Sequence, residues 1–137
     1  MKRFIEIIFC ISILLISYSC TQDSNRKTAY ELQERCGKSA VHWSEQHNEV
    51  IDYKAHYNSS LNKCIVYATL APIVGSNVIT SYYMLYDVNA HSKLGQYTVR
   101  SYKDSEEEHI CIIDGKDYGV QSKEKWDSFV KEMMNST

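Results

Sequence analysis

Leu61-Asn62-Lys63-Cys64-Ile65-Val66-Tyr67-Ala68-Thr69-Leu70 reads as a β-strand: β-branched and aromatic residues favour extended backbone, and a period of two puts Cys64, Val66, Ala68 and Leu70 on one face. Downstream, Val78 to Asp87 is rich in the same residue types, and residues 95–102 alternate Tyr97 and Val99 against Gln96, Thr98 and Arg100. Pro72 and Gly75 punctuate the first connection and Asn89-Ala90-His91-Ser92 the second, so the three strands are expected to run antiparallel. A fourth strand, 109–113, is entered from the acidic turn 103–108 and left through Asp114-Gly115, a strong turn pair.

Upstream, a polar connector through Tyr53 and His56-Tyr57-Asn58-Ser59-Ser60 is expected to reach the first strand as turns. Before it, Ala29, Leu32, Cys36, Ala40 and Trp43 recur at steps of three or four, from Lys27 to about His47. They make one apolar stripe on an amphipathic helix whose wet side carries Glu31, Gln33, Glu34 and Lys38. Gly37 costs that helix about 1 kcal/mol relative to alanine and suggests close approach of another element. Asn48 is the expected stop. At the far end of the chain Ser122 is expected to N-cap a second helix, with Glu124 in its first turn and Trp126, Phe129, Val130 and Met133 on its apolar face. The order predicts a single α+β domain over residues 27–137. It has an N-terminal helix, a four-stranded antiparallel meander and a C-terminal helix, with both helices on one face of the sheet.

Lys2 and Arg3 precede an apolar run from Phe4 to Ile16, broken only by Glu6 and Ser12 and followed by Ser17-Tyr18-Ser19-Cys20. At about 13 residues the run is shorter than the roughly 20 that cross a bilayer, so residues 1–19 read as a cleaved export signal. Ser19-Cys20 fits a lipoprotein signal, in which Cys20 is acylated with palmitate-like chains and becomes the N-terminus. Ser17-Tyr18-Ser19 also fits ordinary secretory cleavage, and both routes stay open. The polar, aperiodic segment after Cys20 suits a tether over residues 20–26, and acyl chains there would hold the domain at a membrane. The expected location is a bacterial cell envelope, anchored and facing the periplasm or exterior.

Removing residues 1–19 from the 137 leaves 118, enough for one core, with 13 basic against 16 acidic groups and a net charge of −3. No basic patch is evident, which argues against nucleic acid as a partner. One proline, five glycines and eleven tyrosines indicate an ordered chain with considerable strand content.

Of five cysteines, Cys10 leaves with the signal and Cys20 takes the lipid, so Cys36, Cys64 and Cys111 remain. In an oxidising envelope, Cys36 on the helix stripe and Cys64 on the inward face of the strand are the pair whose directions agree. If Ile110 and Ile112 face the core, Cys111 faces the other way, where it is covered, free or paired between chains. A buried, inert thiol is the expectation.

The densest polar cluster is His56-Tyr57-Asn58 followed by Leu61-Asn62-Lys63-Cys64. As chemistry, His56 and Asn58 would be ligands, or a base and its orienter, beside a Cys64 nucleophile. As structure, they bond backbone groups in a turn, and an oxidised Cys64 cannot attack anything. The helix cysteine, His56-Tyr57-Asn58, and Leu61-Asn62-Lys63-Cys64 leading into a strand together resemble a pattern in short secreted bacterial proteins of unknown function. The resemblance covers about the first half of the domain. It implies a structural role for these residues and brings no activity.

His42 and His47 are five apart and do not align on a helix; no HExxH, CxxC, GxSxG or phosphate-loop pattern occurs, so neither metal nor cofactor is expected. Tyr82, Tyr83, Tyr86, Tyr97 and Tyr102 would place rings on both sheet faces. There they pack across strands or, where exposed, stack on sugars or a partner protein. The expected function is non-enzymatic: an envelope lipoprotein presenting a disulfide-stapled domain to a protein or envelope ligand. The alternatives are an inhibitor of a secreted hydrolase and a thiol-dependent enzyme or redox protein using Cys111 or the His56 cluster.

Overall fold

A computed structural model describes residues 28–103, 105–119 and 122–135. The expected export signal with Cys10, the expected acylation site Cys20 and the expected tether lie outside them. Contacts group Gln33–Thr137 into one compact unit, and residues 28–32, in the unit before it, are helical. Helix α1 covers 28–45 and is followed by β1 (Val50–Asn58), β2 (Lys63–Val74), β3 (Val78–Asp87), β4 (Ser92–Tyr102), β5 (Glu108–Ile113), β6 (Lys116–Asp117) and helix α2 (Ser122–Met134). The strands form one antiparallel sheet in the order β1-β2-β3-β4-β5-β6, a meander of six strands rather than four.

The α+β class and the meander are as expected, and the additions have local causes. β1 occupies the segment read as turns. Its Tyr53, Ala55 and Tyr57 pack toward α1 while the alternate residues Asp52, Lys54 and His56 are polar, so it alternates without an apolar run. β6 is two residues long and follows Asp114 and Gly115, both at positive φ (48° and 78°), as a tight hairpin turn requires. Pro72 lies inside β2, where the pairing with β3 shifts register between Leu70 and Ile73, a bulge being where a strand tolerates proline.

The two helices lie on opposite faces of the sheet, not on one. Along β2, Cys64, Val66 and Ala68 pack with Cys36, Ala40 and Trp43 of α1, whereas Ile65 packs with Leu85, Tyr97, Cys111 and Trp126 under α2. Both faces of β2 are apolar, so both must be covered. Cys36 and Cys64 are joined by a disulfide, with Cα atoms 5.3 Å apart, which staples α1 to the sheet.

Further local expectations change. A side chain at Gly37 would meet nothing within 4 Å, so no element approaches there. Close approach occurs instead at Gly95 in β4, where a Cβ would stand 3.1 Å from ring carbons of both Trp126 and Phe129. Ser122 does not cap α2: it is the first helical residue, fully buried, and its hydroxyl has no hydrogen-bond partner. In β5 it is Cys111 and Ile113 that face the core, while Ile112 is 38% exposed.

Gln33, read as a solvent-side residue of α1, serves the sheet edge. Its Oε1 accepts from the Tyr57 backbone N–H at 2.7 Å and its Nε2 donates to the Ala55 carbonyl at 3.3 Å. One side-chain amide thus meets the outward-facing groups of β1 much as the peptide of a neighbouring strand would.

Candidate functional site

α2 packs across the sheet against β5, β4, β2 and β1. Its far end is fixed by Asn58, which is 1% exposed: Nδ2 donates to the carbonyls of Glu132 (3.3 Å) and Met133 (3.0 Å). The same side chain's Oδ1 accepts from Ser60 Oγ at 2.7 Å and Leu61 N–H at 3.0 Å. Asn58 therefore closes the β1–β2 turn and terminates α2, whose last carbonyls have no partner within the helix. Asn58→Ala is expected to lower stability by about 1–3 kcal/mol through buried groups left unpaired, measured by urea denaturation.

This placement dissolves the proposed nucleophile cluster. Tyr57 is the cross-strand partner of Cys64 and faces α1, so His56 and Asn58 point to the opposite side of the sheet from that sulfur. Cys64 is oxidised, His56 is half-buried and engaged in the fold, and Asn58 is fully occupied. His42 and His47 likewise bond at the C-terminal end of α1, His42 to Gln46 just past the helix at 3.0 Å and His47 back to the Trp43 carbonyl at 2.7 Å. Among the described residues no three His, Cys, Asp or Glu side chains are grouped to hold a metal ion.

Cys111 is fully buried, and burial, with Asp117 nearby, pushes its thiol above the usual range. A thiol held protonated under α2 is a poor nucleophile. In the native protein the Cys111 peptide is expected to resist alkylation at neutral pH and to be labelled fully only after denaturation, as peptide mapping would show.

What the fold leaves open is a groove on one flank of α2. Tyr67, Ser81, Tyr83, Tyr97, His109 and Trp126 line about 420 Å³ of it. A second recess of about 490 Å³ shares Tyr67, Trp126 and Asp127 and continues to Lys54 and Lys131, so the groove extends from β5 toward β1. The rings form a connected set: Tyr67 and Tyr83 are near parallel at 6.5 Å, Tyr97 stacks with Trp126 at 5.9 Å, and Tyr97 stacks with His109 at 5.9 Å. Tyr86, by contrast, belongs to the other face and packs on Trp43.

The polar groups of the groove are ordered by one another. Tyr97 Oη and His109 Nδ1 share a hydrogen bond of 2.7 Å, His109 Nε2 lies 3.7 Å from Glu107, and Ser101 donates to Glu107 at 2.9 Å. Lys123 and Asp127 pair at 2.8 Å on the helix above. Burial raises the phenol pKa of both Tyr67, where a hydrogen bond with Trp126 opposes it, and Tyr97, so both are neutral hydroxyls at physiological pH. The arrangement offers the half-buried rings of Tyr67 and Tyr83, backed by the buried Tyr97 and Trp126 and edged by hydroxyl, imidazole and carboxylate groups. Such a surface stacks on a ring-shaped ligand and hydrogen-bonds its periphery. Of these residues the sequence singled out Tyr83 and Tyr97; Tyr67, His109 and Trp126 join them only through the pairing of β2 to β5 and the crossing of α2.

Comparison with known protein families, curated proteins and solved structures gives no match to this chain.

Proposed function

We propose that the chain is a non-enzymatic binding protein of a bacterial cell envelope, tethered through an acylated Cys20, that holds an envelope glycan in the groove beside α2. The groove carries this reading: it is a concave surface in which the half-buried rings of Tyr67 and Tyr83 and convergent polar groups meet over the buried Tyr97 and Trp126. The disulfide accords with an oxidising compartment. The oxidised Cys64 and the buried Cys111 speak against a thiol enzyme.

Solubilised peptidoglycan fragments and an N-acetylglucosamine tetramer are suitable probes. Calorimetric titration should show binding that Tyr83→Ala weakens at least about tenfold, the effect of removing a stacking anchor, while the variant still melts as a folded domain. Absence of binding by both probes, or equal affinity in a folded Tyr83→Ala, would remove the glycan assignment.

A further inference from the structure

The groove beside α2 differs in charge between its two ends. Toward β5 its ionic groups are engaged with one another: Lys123 with Asp127 at 2.8 Å, and Glu107 with Ser101 at 2.9 Å and with His109 at 3.7 Å. Toward β1, in the recess of about 490 Å³, two cations have no such partner. Lys54 and Lys131 both line it, and among the described residues neither side chain makes an ion pair or a hydrogen bond.

The strand pairing fixes this arrangement. Lys54 is the cross-strand partner of Tyr67, so the two side chains leave the same face of the sheet, the face under α2 on which Tyr67 packs. Lys131 stands on α2 one turn beyond Asp127. Sheet and helix therefore each supply one cation to the recess. Asp127, the carboxylate that lines it, is already held by Lys123. Asp52 and Glu132, close to the two lysines in sequence, do not line it. A lysine in the last turn of a helix often serves the helix's own final carbonyls. Here Asn58 already donates to the carbonyls of Glu132 and Met133, so Lys131 is not needed as their donor.

The geometry points to an acidic saccharide as the ligand of the groove, with a sugar ring against Tyr67 and a carboxylate or phosphate held by Lys54 and Lys131. Lysine is a compact point charge that accepts either oxyanion. The assignment rests on the glycan reading of the groove and adds the ligand's charge to it.

Calorimetric titration of the full-length protein in neutral detergent tests it with matched probes. They are the neutral N-acetylglucosamine tetramer, the same tetramer bearing a 1-phosphate, an alternating N-acetylglucosamine and N-acetylmuramic acid tetrasaccharide with lactyl carboxylates, and the methyl ester of that acid. A charged probe should bind at least about tenfold more tightly than its neutral counterpart, the size of one ion contact in a partly screened recess. Preference for the acid over its ester assigns a carboxylate, and preference for the 1-phosphate over the plain tetramer assigns a phosphate. Lys54→Gln with Lys131→Gln should erase the preference and leave the affinity for the neutral tetramer within about twofold of wild type, whereas Lys54→Arg with Lys131→Arg should keep it. The preference should also shrink as salt rises from about 0.1 M to about 1 M, where the screening length falls from about 10 Å to about 3 Å. Both lysines are exposed, so unchanged thermal melts establish that the variants remain folded. Equal affinity for charged and neutral probes, or a preference that survives the glutamine double variant, would overturn the proposal and keep the glycan groove. No binding by any of the probes would remove both.

Discussion

Trp126→Ala is expected to lower the stability of the domain by about 3–5 kcal/mol, the usual cost of emptying a buried tryptophan site, and so to unfold much of the population at physiological temperature. Trp126 is 2% exposed, and its ring lies 5.9 Å from Tyr97, 6.3 Å from Tyr67 and 6.4 Å from Phe129, centroid to centroid. Gly95 beneath it has no side chain to fill the void. Phe129 is only half-buried, so Phe129→Ala should cost distinctly less. Urea titration of both variants checks the ranking. A Trp126→Ala protein that melts like the wild type would mean that α2 does not form part of the core.

The disulfide variants form the second large expectation. Cys36→Ser and Cys64→Ser each remove the same bond, with a sequence separation of 28. Each should lose about 3–4 kcal/mol on the loop-entropy account. The double variant should be hardly worse than either single one, because the bond is lost only once. Thermal melts under non-reducing conditions decide it. Additive losses would show that the two positions act separately, through packing rather than through the bond.

The sequence displayed those elements in which large residues and turn residues agree. β2, β3 and β4 carry β-branched and aromatic side chains between clear turns, and the Cys36–Cys64 pairing followed from one helix stripe and one strand face. β1 was hidden because an edge strand with Asp52, Lys54 and His56 on one side resembles a polar linker. The direction of β5 was hidden for the opposite reason. Ile110-Cys111-Ile112-Ile113 is apolar throughout, so alternation cannot choose a face, and Cys111 with Ile113 proved to be the inward pair. Opposite placement of the helices was implicit in Ile65 and Tyr67, which alternate with the Cys64 face but carry no mark of what covers them. The groove was the least legible feature, because its walls come from β2, β3, β4, β5 and α2 and meet only through sheet order and the helix crossing.

The single amide of Gln33 has a bearing on what happens when the protein meets a reducing environment. It sits one helical turn before Cys36, so the bond that fixes α1 also fixes the residue that occupies two outer backbone groups of β1, the Ala55 carbonyl and the Tyr57 N–H. Reduction would loosen both together and free these two groups on the edge strand β1, where a further chain can pair. Exposure to thiols would then open a site for chain-to-chain addition, which makes the Cys36–Cys64 bond a safeguard against polymer growth as well as a staple.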